Sequence, residues 1–171
     1  YNGMNTDDGH YLRQTLDTII DNNKILHPKR SLKDHILEGY KLLRKLLAEQ
    51  EDHSVVFIAL GPETNLARLL ISEADEYSEL DGKALVAQKV KLLSVMGGLY
   101  GNEFDFPEWN IVNDLNAAQI TFKEWPTPII ASGWELGNKI RYPHQSILND
   151  FAGSYKHPLC VSYKIYQEMP Y

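Results

Sequence analysis

Cysteine is almost absent: Cys160 stands alone among 171 residues. A single thiol can form no internal disulfide and can build no cysteine-ligated metal cluster. Long apolar runs are missing as well. The longest uncharged one, Val55 to Leu60, is far shorter than the roughly 20 residues a membrane-spanning helix needs, and no membrane partner is expected. Basic charge is in deficit, with 17 Lys and Arg against 23 Asp and Glu and a net charge of −6. A protein that tracks phosphates needs a basic face, so no nucleic-acid partner is expected. Familiar chemical signatures are absent too. Gly82-Lys83 is followed by Ala84, which is not a phosphate-binding loop, and the six histidines show no H-E-x-x-H spacing. There is no G-x-S-x-G elbow, no internal repeat and no Gly/Ser linker. No leader pattern is recognised at Tyr1, which leaves the compartment open between cytoplasm and, after removal of a signal peptide, periplasm or medium.

What is present is the balance of a folded domain, 43% hydrophobic and 23% charged. One domain over residues 1–171 is expected, and Cys160 reads as a small core residue of its last helix. Apolar residues recur at Leu32, Ile36, Tyr40, Leu43 and Leu47, which predicts a helix from Ser31 to about Glu49. Ser31 is its expected N-cap, with Asp34 in the first turn. A shorter helix is expected from Tyr11 to Asp21. Val55 to Leu60 is continuous and partly β-branched, as in a strand buried on both faces. A helix capped by Thr64 or Asn65 follows, through Leu66, Leu69 and Leu70. Further strands are expected at Val90–Met96 and Pro128–Ser132, and further helices near 114–124, 134–140 and from Pro158.

Strand and helix alternate three times, which implies an α/β fold with a mostly parallel open sheet flanked by helices on both sides. Ligands of such sheets bind outside the carboxyl ends of the strands. Each strand here ends in glycine: Gly61, Gly97-Gly98 and Gly133. Taken singly these are ordinary turns; three at one rim favour a binding edge. The loop after the second strand, Gly101 to Asn110, gathers three carboxylates, two amides and three aromatics into ten residues. Amides and carboxylates can clamp vicinal hydroxyls while aromatic rings provide apolar walls, so a sugar-like ligand suits it. A solvated acidic loop with its aromatics in the core is the bland alternative. Glu135, past the third strand, reads more readily as a first-turn partner of the helix dipole than as a rim group.

These segments resemble a known family. Val56 to Asn65, with Ala-Leu-Gly-Pro-Glu-Thr-Asn at its centre, looks like the strand-and-turn signature of the inosine–uridine-preferring nucleoside hydrolases. Val95-Met96-Gly97-Gly98 resembles that family's Met-Gly-Gly turn. Asn102, followed six residues later by Glu108-Trp109-Asn110, matches in spacing its Asn and its Glu-Phe-Asn sugar-binding triplet. Asp114-Leu115-Asn116-Ala117-Ala118 resembles the Asp-Pro-Glu-Ala-Ala helix start that follows. The likeness covers about Ser54 to Ile140, with a weaker one from Pro158.

The resemblance implies a Rossmann-like nucleoside-hydrolase architecture and cleavage of the N-glycosidic bond of ribonucleosides by a Ca²⁺-activated water. It implies a small nucleoside or ribose as partner and leaves a homo-oligomer open. By the same likeness Asn102, Glu108 and Asn110 hold ribose hydroxyls, while Met96 and Trp109, the latter replacing the usual Phe, line the sugar. The backbone carbonyl of Leu60 stands where the family supplies one calcium ligand. The family's Asp-x-Asp-x-x-x-Asp-Asp cluster, which supplies most calcium ligands and the catalytic base, has no counterpart; Asp7-Asp8 follows no apolar strand and reads as a solvated turn. Its later Asp motif is expected beyond Tyr171. The chain therefore reads as the central part of a larger hydrolase domain, with no catalytic residue of its own. A non-catalytic nucleoside or sugar binder of the same fold is the alternative, and an α/β domain for an unrelated small ligand a third.

Overall fold

The computed structural model describes residues 15, 18–20, 24–25, 37–101, 103, 105–150 and 157–168. They fall into two compact units. The first runs from Leu37 to Ile140; the second takes its residues from Thr6–Ile36 and Arg141–Tyr171.

In the second unit, β1 (Ile19–Ile20) pairs antiparallel with β2 (Lys24–Ile25). The predicted helix over 11–21 therefore fails at its end, because the β-branched Ile pair favours extended backbone. Thr15 is helical and Thr18 is not. The rest of this unit's described chain holds α7 (His144–Asn149), a helix in a stretch expected to be irregular, and α8 (Pro158–Glu168). Pro158 stands at the first position of α8, as expected, and Cys160 is buried.

The first unit begins with α1 (Gly39–Ala48). Leu37 and Glu38 are not helical, and Glu38 is extended at φ −57° and ψ 143°, so the helix does not run unbroken from Ser31. Ser31, Leu32, Asp34 and Ile36 lie outside the described residues. Gly39 starts the helix hard against Asn65: a Cβ there would lie 2.6 Å from Asn65 Oδ1. Next come β3 (Val55–Ala59), α2 (Thr64–Leu70), α3 (Gly82–Lys89), β4 (Val90–Met96), α4 (Trp109–Val112), α5 (Leu115–Glu124), β5 (Ile129–Ser132) and α6 (Trp134–Lys139). The three strands form one parallel sheet in the order β3-β4-β5. That is the α/β open sheet read from the alternation of elements.

Burial of the sheet departs from expectation. Val55, Phe57 and Ala59 pack with Leu93 and Val95 against Leu47 of α1, Leu66, Leu69 and Leu70 of α2, and Leu85 and Val86 of α3. Phe57 also meets Trp125 edge-on at 5.8 Å. Among the described residues the opposite face carries no such layer: Val56, Ile58 and Ile130 are 48%, 69% and 55% exposed. β3 is thus half-buried with a period of two, because these helices gather on one face of the sheet.

Two local devices set the helix layer. Arg44 of α1, fully buried, directs its guanidinium onto the segment after α2. Nε and Nη2 donate to the two oxygens of Asp75, Nη1 to Ser72 Oγ, and Nη2 also to the carbonyls of Ser78 and Leu80. The planar fork of arginine can meet this set of acceptors; the point charge of lysine cannot. The second device is Gly82, where a Cβ would fall 1.5 Å from the Leu69 carbonyl oxygen, so only glycine lets α3 start against the end of α2. Among the described residues no helix is long and apolar enough to cross a membrane.

Candidate functional site

The carboxyl ends of β3, β4 and β5 share one edge, fixed by the pairings Ala59↔Val95 and Met96↔Ser132. Beyond the strands, Gly97 N donates to the Ser132 carbonyl (3.1 Å) and Trp134 N to the Gly98 carbonyl (3.0 Å). The turn after β4 is thereby tied to the end of β5. Gly98 adopts φ +88°, a conformation that favours glycine. Gly61 has no neighbour within 4 Å of a built Cβ, so nothing around it demands glycine.

The loop after this turn returns to the sheet through Glu108. Its side chain caps α4, Oε1 accepting from Asn110 N (3.0 Å) and Oε2 from Ile111 N (3.1 Å). Oε2 also accepts from Gly98 N at 3.0 Å. One buried carboxylate thus closes a four-residue helix and pins the loop to the turn. Asn110, also buried, donates from Nδ2 to the carbonyl and the sulfur of Met96 at 3.0 and 2.9 Å. Met96, Glu108 and Asn110 are therefore brought together at the rim. Trp109, between the two, is 54% exposed. Asn102 lies outside the described residues.

A cavity of about 470 Å³ opens beside this cluster, lined by Gly98, Gly101, Asp105, Phe106, Glu108 and Ile111 among others. Its volume is in the range of small-ligand sites. Phe106 stacks edge-on against Trp134 at 5.1 Å, which holds the outer loop over the end of β5. Glu135 does reach this rim: its Oε1 accepts from Tyr100 N at 2.9 Å. Burial raises the Tyr100 phenol above its usual range, and the charges of Glu135 and Glu108 add to the rise.

The expected cap of α2 is corrected. Neither Thr64 nor Asn65 caps it; Glu63 holds the N-cap position with no side-chain bond to the helix. Thr64 Oγ1 donates instead to Asp114 Oδ2, and Asp114 caps α5 by accepting from Ala117 N. Glu63, which sequence reasoning passed over, is buried at 1% exposure. Burial pushes its carboxyl up to about 7, helped by the nearby charges of Glu108 and Asp114. The available signal was an acid placed two residues past the glycine that ends a buried strand.

Calcium takes six to eight oxygen ligands. The Leu60 carbonyl can supply one, just past β3, where the residue is 75% exposed. Among the described residues, however, no group of three or more His, Cys, Asp or Glu is arranged to hold a metal ion. The described residues do not by themselves fit a calcium cage.

An α/β sheet with polar side chains gathered at its carboxyl edge defines the class. Comparison with known proteins then gives the family: the chain matches the inosine-uridine preferring nucleoside hydrolases over residues 4–168, and it belongs to that family. It is similar to the pyrimidine-specific ribonucleoside hydrolase RihA of Enterobacter sp. (strain 638), at 30% identity over 114 residues, covering 66% of this chain and 33% of the relative. RihA of Escherichia coli (strain SMS-3-5 / SECEC) is 32% identical over 101 residues, 58% of this chain and 29% of the relative. The matched segment spans about a third of the length of these relatives. Among solved structures, the inosine-uridine preferring nucleoside hydrolase from Bacillus anthracis shares the fold. Its TM-score is 0.54 at 22% identity, over 77% of this chain and 43% of that one.

Proposed function

We propose that this chain carries the sugar-binding part of a nucleoside N-ribohydrolase, an enzyme that splits the N-glycosidic bond of a ribonucleoside with water. The observation that supports it most is the convergence of Glu108, Asn110 and Met96 on one strand-end turn beside a cavity of about 470 Å³. Asn102 and Trp109 complete the set proposed to bind substrate. Glycosidic cleavage passes through a sugar with oxocarbenium character. A carboxylate already fixed by three N–H groups has little to reorganise when positive charge develops near it, so Glu108 stabilises that charge as well as a hydroxyl. Oε1 accepts a single backbone bond, which leaves it one acceptor position for a sugar O–H. Asn110, with its Nδ2 committed to Met96, is held in one orientation.

Calcium activation of the attacking water belongs to the same reading, with the Leu60 carbonyl as one ligand. The described residues offer no further cage for the ion. We further propose that the chain is the central part of a larger hydrolase domain, acting in nucleoside salvage, and that the general base lies elsewhere in that domain.

The test measures ribose binding to the chain by calorimetry, alongside release of reducing sugar from inosine, uridine and cytidine with calcium or with EDTA. Ribose binding that is lost in Asn110→Ala supports the site. No ribose or nucleoside binding by the unaltered chain would overturn it. Binding in EDTA without sugar release would favour the non-catalytic binder instead.

A further inference from the structure

We propose that Glu63 is a positioning residue for the proposed sugar site: in its neutral form it lets the Glu108 carboxylate hold the Gly97-Gly98 turn closed, and its ionisation loosens that turn. The inference rests on the reading of Glu108 as a sugar-binding group and adds a control to it.

Glu63 sits beneath the turn. A side-chain carbon placed on Gly97 would lie 3.7 Å from Glu63 Oε1 and 3.3 Å from Ile111 Cδ1. The carboxyl thus lies close to the end of β4, on the side of Gly97 where Ile111 of α4 also packs. Among the described residues neither Glu63 oxygen has a hydrogen-bond partner, and the residue is 1% exposed. Its own backbone N–H favours the charged form, but burial outweighs it, because a carboxylate out of water is far costlier than a carboxylic acid. The two ionisable groups that bear on it are both acids with commitments of their own. Glu108 holds Gly98, Asn110 and Ile111 amides, and Asp114 holds Ala117 N and the Thr64 hydroxyl. Glu63 therefore has no cation to pair with among these groups, and it alone is free to change charge without breaking a cap.

Its titration falls where this matters, since burial and the two neighbouring carboxylates bring it to about 7. Once charged, Glu63 repels the Glu108 carboxylate and weakens its hold on the backbone N–H groups that it accepts from. Gly98 N is the one of those bonds that lies outside helix α4, so it gives way first. Coupling is reciprocal, so whatever holds Glu108 in place favours the protonated form of Glu63.

The experiment is a pH titration of backbone amide resonances in the full chain, without ligand, in the wild type, Glu63→Gln and Glu63→Leu. In the wild type the Gly97, Gly98 and Asn110 amides are expected to shift together with a midpoint near about 7. In both variants that shared titration disappears. Persistence of the titration in Glu63→Gln or Glu63→Leu, or its absence from the wild type, overturns the proposal. Ribose affinity measured over the same range should fall about tenfold above the midpoint in the wild type only, equivalent to one pK unit of coupling. A shared amide titration without ribose binding would overturn the sugar-site reading while supporting the coupling of Glu63 to the turn. Ribose binding with no Glu63-dependent titration would do the reverse.

Discussion

Replacing Glu108 by Gln removes one charge and exchanges one acceptor oxygen for an NH₂ group, a change of almost no volume. Its effect is fixed by the three backbone donors that converge on the carboxylate. If the remaining oxygen takes the Oε2 place, it keeps Gly98 N and Ile111 N, and the new NH₂ faces Asn110 N donor to donor. In the other orientation two donors are stranded. The better arrangement still loses one charge-assisted bond, worth about 1.5–3 kcal/mol, and turns two others into neutral ones of about half the strength. Part of this is offset because a buried amide is less costly than a buried carboxylate. We expect a net loss of about 3 kcal/mol. The assay is urea unfolding of the whole chain followed by tryptophan fluorescence, which reports the first unit alone, because Trp109, Trp125 and Trp134 all lie between Leu37 and Ile140. Glu103→Gln, an exposed residue of the same loop, is the control and should change stability by less than about 0.5 kcal/mol. A Glu108→Gln loss no larger than the control's would refute the argument that this carboxylate holds the loop to the sheet.

Two further outcomes follow from buried charge. Arg44→Met leaves Asp75 and the Ser78 and Leu80 carbonyls without their shared donor, and should cost about 3–5 kcal/mol in the same unfolding assay; an Arg44→Met/Asp75→Asn double variant should recover part of it. Stability should fall as pH rises from about 4.5 to about 7, because the Glu63 carboxyl is raised from 4.5 to about 7 and the unfolded chain releases its proton first. At about 1.4 kcal/mol per pK unit this comes to about 3 kcal/mol, and Glu63→Gln should flatten that part of the curve.

The alternation of elements was legible because each strand is a compact apolar run closed by glycine; Val90–Met96 was read with its observed bounds. Local pattern could not show which face of the sheet would be covered, since Val56 and Ile58 look as apolar as Val55 and Phe57. Helix α3 carries no apolar stripe at helical spacing in Gly82–Lys89, so only its cap, Asp81 accepting from Ala84 N, marks it in the sequence. At the site, the family resemblance named Met96, Glu108 and Asn110, and the fold brings Glu108 to Gly98 N and Asn110 to the Met96 carbonyl. The pairing of Thr64 with Asp114, fifty residues apart, had no local signal, and the place of Glu63 just past Gly61 did not show that its carboxyl would be left without a partner. Both arise from tertiary packing of α2 against α5 and β4.

The double duty of Glu108 constrains how such a site can be altered, by evolution or by an engineer. Because one carboxylate both caps α4 and fixes Gly98 N, no substitution there can alter the proposed sugar contact without also undoing the loop. Freedom to retune ligand preference must therefore fall on side chains that line the same cavity but hold no backbone in place. Asp105 is such a position, exposed and lining the cavity. If the proposed sugar site holds, libraries aimed at new ligand preferences are best centred there, with Glu108 left untouched as part of the scaffold.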